Sequence, residues 1–322
     1  MLKEYLMADP KIMPELPEVE TIRRDLEERV IGKKITAIKI LDKKLGETKS
    51  FAHILIGNKI IKIDRVGKLL IFALKSGKFL LIHLKMTGQL IFMVGNKIFA
   101  GGHEIKINFP QSIGGEFPSP GGVDAPRGRG GFPSVTGGPL PNKYTRLIIS
   151  FDGRHQLFFN DLRRFGYAKI VSAAELAKIK EGYGIEPLRK DFTLENFKKA
   201  LSGKKNIKAA LLDQAKISGI GNIYADEILF AARIRPSRRV DSLKPAEIEN
   251  IFSAAGRVIK KAIAHRGTTF SNYVDGSGHQ GNFVRFLQVY GRKGEKCQVC
   301  GQPIKVVKIA GRSTHFCPHC QK

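Results

Sequence analysis

Apolar positions change their spacing several times along the chain, and each spacing predicts a different kind of element. In residues 18–31, EVETIRRDLEERVI, apolar residues recur every three or four positions between charged ones, which predicts an amphipathic helix near the start. Between residues 59 and 94, short β-branched and aromatic runs separated by turn residues predict an antiparallel meander. The runs YTRLIISF and HQLFFN flank Asp152-Gly153, a pair that suits the positive φ of a primed turn, so a further hairpin is expected there.

The second half of the chain has helical spacing from about Asp191 onwards. Its segments are FTLENFKKALSG, IKAALLDQAKI, IGNIYADEILFAARI and PAEIENIFSAAGRVIKKAIAHRG. Between the two β blocks, residues 110–142 consist largely of Gly, Pro and Ser and cannot bury enough apolar surface to order themselves. This segment is interpreted as a long loop inserted between two strands.

The charge of the chain limits its partners. Its 322 residues include 55 Lys and Arg against 29 Asp and Glu, a formal net charge of +26. Such an excess on a globular protein is typical of a polyanion binder, because neutralising phosphates releases condensed counterions. Hydrophobic residues make up 42%, so disorder as a class is excluded, and the length predicts two or three domains of roughly 100 to 200 residues each.

No apolar run approaches the roughly 18 to 20 residues that a membrane helix needs. The opening residues, MLKEYLMADPKI, mix charges and a proline into a short apolar stretch and lack the continuous core of a signal peptide. We therefore expect a soluble, cytoplasmic protein with no membrane partner.

All four cysteines lie close to the C-terminus, in two C-x2-C pairs separated by sixteen residues: Cys297, Cys300, Cys317 and Cys320. This spacing predicts one structural Zn²⁺ held by four thiolates, which leave no open position for catalysis. Gly301 permits the tight turn of such a knuckle, and the segment between the pairs alternates like a β-hairpin with Arg312 at its tip. Two disulfides or free thiols are the alternatives, and a cytoplasmic location disfavours the disulfides.

The turn Gly219-Ile220-Gly221-Asn222 lies between two predicted helices in a basic neighbourhood that includes Lys208. Its glycines permit close approach, and the N-terminus of the following helix offers free N–H groups to a DNA phosphate. Glycine turns between packed helices are also common without any such role.

The segment Met13-Pro14-Glu15-Leu16-Pro17-Glu18 precedes the first helix. Prolines at a helix start and acidic residues in its first turn have an ordinary structural explanation. If Pro14 is the mature N-terminus, however, it is a secondary amine able to attack a sugar carbon and form an iminium.

Taken together, these motifs resemble the bacterial formamidopyrimidine-DNA glycosylase family, in the same order and over nearly the whole chain from Met13. The resemblance rests on PELPEVE, VGKLL, HLKMTGQL, NDLRRFG, ISGIGNIYADEILF and the four-cysteine finger with its RSTHFCPHC. It implies an α+β multidomain fold: an N-terminal helix with a two-layered antiparallel β-sandwich, a helix-two-turn-helix domain and a zinc finger hairpin. The expected boundaries are 14–188, 189–284 and 285–322.

The resemblance also implies roles for individual residues. Pro14 is the expected nucleophile at C1′, Glu15 the general acid and base at the sugar, Glu18 a support for the helix start, and Lys68 a phosphate contact that favours the charged intermediate. β- and δ-elimination then make the protein a bifunctional glycosylase and lyase for abasic sites, removing oxidised purines in base-excision repair.

The DNA-binding set implied by the resemblance includes a wedge that fills the space left by an extruded base. Met86, Arg163 and Phe165 are expected there, although core packing also explains Met86 and Phe165. Arg164 is expected to hold a phosphate. The further contacts are expected from Lys208, Gly221, Asn222 and Arg312. Residues 267–282 resemble the family's loop over the extruded base, and residues 288–292 fit the oxidised-purine glycosylase better than its oxidised-pyrimidine relative.

Two features depart from the family pattern. Residues 1–13 place the Pro14 nitrogen in an amide without nucleophilic character, so they are interpreted as a non-native upstream extension, with an inactive form as the alternative. The insert at 110–142 is the second departure. The expected partner is double-stranded damaged DNA, bound by a monomer associated with the bacterial nucleoid. A pyrimidine-specific glycosylase and a non-catalytic zinc-containing DNA binder are the competing functions.

Overall fold

The computed structural model describes residues 13–46, 48–95, 97–100, 103–106, 140–268 and 282–322. The insert at 110–142 lies outside these residues except for its last three positions, as does most of the loop at 267–282. The helices within the described ranges are α1 (Leu16–Val30), α2 (Thr48–Leu55), α3 (Ala173–Glu181), α4 (Leu194–Ala200), α5 (Ile207–Leu212), α6 (Asn222–Ala231) and α7 (Pro245–Ala264). None of them combines the length and the apolar character that a bilayer span demands.

The first half of the chain builds two antiparallel sheets. The strands are β1 (Ile35–Ile40), β2 (Ile60–Val66), β3 (Leu69–Leu74), β4 (Phe79–His83), β5 (Gly88–Val94), β6 (Lys97–Ala100), β7 (His103–Lys106), β8 (Thr145–Phe151), β9 (His155–Asp161) and β10 (Tyr167–Val171). One sheet has the order β1-β8-β9-β5-β6-β7 and the other β10-β4-β3-β2. Their facing residues, such as Phe72 and Leu80 on one sheet and Phe92 and Phe159 on the other, share one buried core. The predicted sandwich is therefore confirmed.

The meander prediction is right for three strands and wrong for the fourth. β2, β3 and β4 are consecutive neighbours, but β5 leaves their sheet and pairs with β9 and β6 in the other. β5 is apolar on both faces, because Leu90 and Phe92 enter the shared core while Ile91 packs on the opposite side. Such a pattern predicts a strand but carries no information about which strand it pairs with.

The predicted β8–β9 hairpin is present, with a different turn. The pairing of Phe151 with His155 leaves three loop residues, and both Gly153 and Arg154 have positive φ. The connection is therefore longer than the two-residue primed turn that Asp152-Gly153 suggested. The zinc hairpin of β11 (Lys305–Ile309) and β12 (Arg312–Phe316) is present as expected, but its turn is the two residues Ala310-Gly311, so Arg312 is the first residue of β12 and not the tip of the turn.

Helix α1 connects the two halves of the molecule. Leu16, at its first position, belongs to the core of the helical half, whereas Val19, Ile22 and Leu26 belong to the core of the sandwich. The start of α1 is therefore fixed by both cores.

A buried ion-pair cluster makes a second connection. Arg65 of β2 donates to Glu20 of α1 at 3.1 Å and to Glu186, in the segment that leads to the helical half, at 2.8 Å. The same Glu186 carboxylate accepts the N–H of Gly67 at 2.6 Å, which fixes the β2–β3 turn. The Arg65 and Glu186 side chains are 8% and 2% exposed, so each buried charge needs compensation from oppositely charged partners.

Replacing Glu186 with Ala should therefore lower the free energy of unfolding by about 3 kcal/mol, because the Gly67 N–H loses its buried acceptor and Arg65 loses one of its two acidic partners. Urea denaturation measures the change. Glu195→Ala is the control, because Glu195 pairs with Lys199 on the surface, where both side chains are at least 70% exposed, and no measurable effect is expected. Equal midpoints for the two variants would contradict this account.

Candidate functional site

A cavity of about 170 Å³ lies where the start of α1, the β2–β3 turn, the α5–α6 connection and the zinc hairpin meet. Residues from all four segments line it, among them Met13, Glu15, Lys68, Gly221, Asn222 and Arg312. The fold thus brings together residues that are almost 300 positions apart in the sequence.

Glu15 is the buried acid of this cavity. It stands immediately before α1, and its carboxylate accepts the N–H groups of Gly221 at 2.7 Å and Ile223 at 2.9 Å, at the N-terminus of α6. A more distant N–H, that of Tyr224, lies 3.4 Å away. Aligned N–H groups and the helix dipole make such a terminus an anion site.

The N–H of Gly221, expected to contact DNA, has a partner within the chain. The chain's own Glu15 carboxylate accepts the N–H that was expected to bind a phosphate. Gly221 is required here for another reason, since a Cβ at this position would lie 2.3 Å from the carboxyl carbon of Glu15. Gly219 is equally constrained: its φ is +89°, a Cβ would meet Leu16 at 2.5 Å, and its carbonyl accepts the Leu16 N–H at 3.0 Å.

The protonation of Glu15 is set mainly by burial. Removal from water raises the pKa of Glu15 to about 7, against the lowering effects of the Lys68 charge and of the N–H groups of Ile223 and Gly221. A carboxyl group with a pKa near neutrality is suited to give and take protons at physiological pH.

Lys68 lies in the β2–β3 turn and is also buried. Burial lowers the pKa of its ammonium group, while the negative charges of Glu15 and Glu18 act in the opposite direction. The cavity therefore holds an acid and a base whose environments bring their pKa values closer together.

Glu18 fixes the geometry around Glu15. It accepts the Glu15 N–H at 2.9 Å, the Tyr224 hydroxyl at 2.6 Å and the Thr268 N–H at 2.6 Å. A single carboxylate thus joins the start of α1 to α6 and to the segment after α7. The hydrogen bond to the Glu15 N–H also fixes the backbone next to Pro14, which is half-buried.

The four cysteines form a compact cluster, with all ligand atoms within 4.8 Å of one another. The Sγ atoms of Cys297 and Cys320 are 3.9 Å apart and those of Cys300 and Cys317 are 3.4 Å apart, separations that fit the edges of a tetrahedron around Zn²⁺. Gly301 has a φ of +74° and donates its N–H to the Cys297 carbonyl, which forms the tight knuckle predicted from the sequence. The donor set is suited to one structural zinc ion, as predicted.

Lys208 does not have the exposed position that its assignment to DNA requires. Its side chain is 0% exposed and forms an ion pair with Asp226 of α6 at 2.7 Å. The ammonium group also donates to Thr314 and to the Ser313 carbonyl of the zinc hairpin, at 2.9 and 3.1 Å. Burial without water would be costly for an unpaired charge, and here the contacts of Lys208 hold the hairpin against α5 and α6.

Asn222 contacts the same hairpin, donating its side-chain amide to the Ser313 carbonyl at 3.0 Å. Asp226 receives the His315 N–H at 2.8 Å. These contacts fix the strand that carries Arg312, and Arg312 lines the cavity beside Glu15 and Lys68.

Met86, Arg163 and Phe165 lie outside this cavity, in two neighbouring loops of the sandwich. Met86 is half-buried in the turn between β4 and β5, and Arg163 and Phe165 are exposed after β9. The Arg163 guanidinium stacks over the Phe165 ring at 4.9 Å from its centre.

Arg164 forms an ion pair within the chain. Its guanidinium donates to both oxygens of Asp42, at 2.8 and 2.6 Å, and these hydrogen bonds hold the pKa of Asp42 at about 2. This bidentate pair uses the Nε and Nη2 atoms, and the side chain stays 47% exposed, so the expected phosphate contact remains a prediction. Through this pair, Arg164 anchors its loop to the segment after β1.

Three family profiles match successive parts of the chain. The formamidopyrimidine-DNA glycosylase N-terminal domain matches residues 13–168, its H2TH domain matches 183–274, and a zinc finger found in FPG and IleRS matches 294–322. A formamidopyrimidine-DNA glycosylase of Pelotomaculum thermopropionicum is 37% identical, over 96% of this chain and 99% of its own length. The chain belongs to the formamidopyrimidine-DNA glycosylase family.

Solved structures of the family agree. The Lactococcus lactis Fpg in a complex with abasic-site DNA is 32% identical and has a TM-score of 0.76, with 96% of this chain and 99% of that chain covered. A mutant of the same protein in a complex with a Fapy-dG containing DNA gives the same identity and score and is covered completely. This chain is therefore an Fpg-type DNA glycosylase of DNA repair.

Several residues that shape the site of this glycosylase were not singled out from the sequence. Tyr224 and Thr268 hold Glu18, and Asp226 pairs with Lys208. Glu227 accepts three consecutive backbone N–H groups, those of residues 288–290. A signal was present in IYADEILF, because two adjacent acids in an otherwise apolar helix are expected to have buried partners.

Glu15→Gln tests the protonation state of the buried acid in this glycosylase. Since its pKa rises from 4.5 to about 7 on folding, the folded protein keeps a proton that the unfolded chain releases in that interval. The contribution to stability is complete below pH 4.5 and is lost as the pH rises through about 7. Between these pH values the parent should lose about 3 kcal/mol in free energy of unfolding relative to Glu15→Gln. Denaturation at constant ionic strength measures the difference. Glu28→Gln on the exposed face of α1 is the control, and a pH-independent difference for Glu15→Gln would contradict the assignment.

Cys317→Ser tests the metal centre. Loss of one thiolate should release zinc and loosen the β11–β12 hairpin, because metal binding and folding of such small modules are coupled. Zinc content and limited proteolysis measure the two effects, and the sandwich should retain its thermal transition. His319→Ala changes an exposed residue inside the same knuckle that is not in the cysteine cluster, so zinc should remain. A zinc-free Cys317→Ser hairpin that resists protease like the parent would argue against a structural role.

Proposed function

We propose that this chain is a bifunctional enzyme that removes oxidised purines from double-stranded DNA and then cleaves the strand at the resulting abasic site. The observation that carries the proposal is the arrangement around Pro14, with the Glu15 carboxyl group next to it in sequence and the Lys68 ammonium group in the same cavity. An amine, an acid with a pKa near 7 and a buried cation form a set suited to imine and elimination chemistry. Family membership supports the same reaction.

In the proposed reaction the lone pair of the Pro14 nitrogen attacks C1′ of the deoxyribose. The electrons of the glycosidic bond leave with the base, which takes up the proton that the Pro14 nitrogen loses. Glu15 protonates the ring oxygen as the C1′–O4′ bond opens, and the Pro14–C1′ bond becomes an iminium. Glu15 is suited to this role because its pKa of about 7 leaves it protonated in part at neutral pH.

The iminium then acts as an electron sink for strand cleavage. Glu15, a carboxylate once it has protonated the ring oxygen, takes a proton from C2′ as the 3′ phosphate leaves. Loss of a C4′ proton to water then expels the 5′ phosphate, and water hydrolyses the iminium, which frees the Pro14 amine and releases the sugar fragment. Lys68 and Arg312, both lining the cavity, are proposed to hold the negative charge of the phosphates.

The Pro14 nitrogen must be free for this chemistry. In the 322-residue sequence it forms an amide with Met13, and such a nitrogen has no available lone pair. We therefore propose that the active form begins at Pro14. Met13 lines the cavity, so its removal would open the cavity to the new amine.

Specificity for oxidised purines is supported by the names of the relatives and by the Fapy-dG complex of the Lactococcus lactis protein. Met86, Arg163 and Phe165 are proposed as the wedge that replaces the extruded nucleotide. Arg163 and Phe165 are exposed and stacked on each other, and their loop is hydrogen-bonded to the loop that carries Met86. Since one chain supplies every group of the cavity, we propose that the enzyme acts as a monomer.

Borohydride trapping tests the nucleophile. Protein that begins at Pro14 should form a stable covalent adduct with abasic DNA, because borohydride reduces the iminium, whereas protein verified to retain residues 1–13 should not. Denaturing electrophoresis measures the adduct, and undamaged DNA is the control. Efficient trapping by the longer protein would exclude Pro14 as the attacking group.

The lesion preference is tested with the same protein. Duplexes with formamidopyrimidine, 8-oxoguanine or an oxidised pyrimidine are compared at one salt concentration, because salt alone changes the affinity of phosphate contacts. Faster release of the two purine lesions supports the proposal. Faster release of the pyrimidine lesion would assign the chain to the alternative specificity, and binding without release would favour a non-catalytic DNA binder.

A further inference from the structure

Asp161, the last residue of β9, is a buried acid that has no part in the proposed chemistry. Its exposed fraction is 1%. It lies opposite Gly88, the first residue of β5, so it stands where both strands run into loops. One of these loops carries Met86, and the other carries Arg163 and Phe165.

The Asp161 carboxylate hydrogen-bonds to both loops. Its Oδ1 accepts the hydroxyl of Thr87 from the first loop and the N–H of Arg163 from the second, the latter at 3.2 Å. Its Oδ2 accepts the N–H of Gly166 at 2.7 Å. The Arg163 N–H also donates to the Thr87 hydroxyl oxygen at 2.9 Å, so the two loops are joined directly as well as through the acid.

Gly166 allows this close approach. A Cβ at this position would lie 3.0 Å from the Asp161 carboxylate and 2.6 Å from the ring of Phe159. The backbone can therefore donate to Asp161 at both ends of the segment 163–166 only because this residue has no side chain. Phe165 lies between the two anchored positions and projects with 53% of its surface exposed.

We propose that Asp161 is a positioning residue that joins the loops of Met86 and of Arg163 and Phe165 into one rigid wedge. This inference rests on the proposed function, in which the three side chains enter the DNA stack. Side chains can separate stacked bases only if the backbone that carries them keeps its position. A buried carboxylate that accepts several hydrogen bonds restricts the movement of that backbone. The Arg163 stacking on Phe165 would then be set before DNA binds.

The simpler alternative is that Asp161 only stabilises the end of the sheet. The two roles differ in what they predict for DNA. A structural role predicts equal losses on every substrate, in proportion to lost stability. A positioning role predicts a loss that is confined to steps in which the duplex must be opened.

The test compares Thr87→Val, which removes the hydroxyl at nearly constant volume, with Thr87→Ser, which keeps it. Asp161→Asn is the second variant: both carboxylate oxygens accept hydrogen bonds in the parent, and the amide keeps only one acceptor oxygen. Asp152→Asn, an acid in the exposed turn at the opposite end of β9, is the matched control. All are made in protein that begins at Pro14, and thermal denaturation verifies that each is folded at the assay temperature.

Two measurements are made on each variant. The first is the rate of lesion release from a duplex, compared with the rate of strand cleavage at an abasic site in single-stranded DNA, where no partner strand must be separated. The second is the fluorescence of 2-aminopurine placed opposite a tetrahydrofuran abasic analogue, which reports insertion of the wedge without any chemical step.

We expect Thr87→Val and Asp161→Asn to slow duplex release by about 10- to 100-fold, the effect of losing one or two hydrogen bonds to a charged group. The rate of cleavage in single-stranded DNA should be unchanged, whereas the 2-aminopurine fluorescence should change more slowly. Thr87→Ser and Asp152→Asn should behave like the parent. Equal losses on both substrates, or parental rates on both, would overturn the positioning role.

The fluorescence measurement keeps this inference separate from the proposed chemistry. If the parent protein shows no preference for oxidised purines but inserts its wedge at the abasic analogue faster than Thr87→Val, the proposed specificity fails and the role of Asp161 stands. If the parent gives no fluorescence change, no wedge is inserted and the inference is wrong whatever the lesion preference.

Discussion

The site depends on one interaction, the seating of the buried Glu15 carboxylate on the N-terminus of α6. A helix start with free N–H groups attracts an anion, and here the anion comes from the residue that immediately precedes α1. Because Leu16 belongs to the helical core while the rest of the helix packs on the sandwich, this contact fixes the two halves around Pro14. Burial at this junction raises the pKa of Glu15 to about 7, although the N–H groups of Ile223 and Gly221 act in the opposite direction.

Helix α6 extends this principle along its length. Its buried acids accept hydrogen bonds from segments that are distant in sequence: Asp226 from the zinc hairpin and Glu227 from residues 288–290. Lys208 compensates the charge of Asp226 and contacts the same hairpin. The zinc cluster and α6 therefore act together, since the metal closes the base of the hairpin and the helix holds the strand that brings Arg312 to the cavity.

In a separate part of the molecule, the two loops that carry Met86, Arg163 and Phe165 are also held by a buried acid. Asp161 collects donors from two loops much as Glu15 collects them from a helix terminus, and Arg164 is tied to Asp42 beside them. In a protein with a net charge of +26, the few buried acids thus have a structural effect out of proportion to their number. Exposed cations remain available for a polyanion, while the acids define where the functional side chains stand.

The sequence alone determined α1, the strands between residues 59 and 94, the β8–β9 hairpin, the helices from α4 onwards, the zinc cluster and the family, because periodicity and spacing depend on neighbours in the chain. It did not predict β1, α2, β6, β7, β10 or α3. It did not determine that β5 joins the second sheet, since a strand that is apolar on both faces pairs equally well in either. Nor did it determine that Lys208 forms an ion pair with Asp226 and Arg164 with Asp42. The hydrogen bond from the Gly221 N–H to Glu15 was not predicted either. A charged side chain looks the same in sequence whether it faces solvent or a buried partner, and only the tertiary structure decides, because burial makes the partner obligatory.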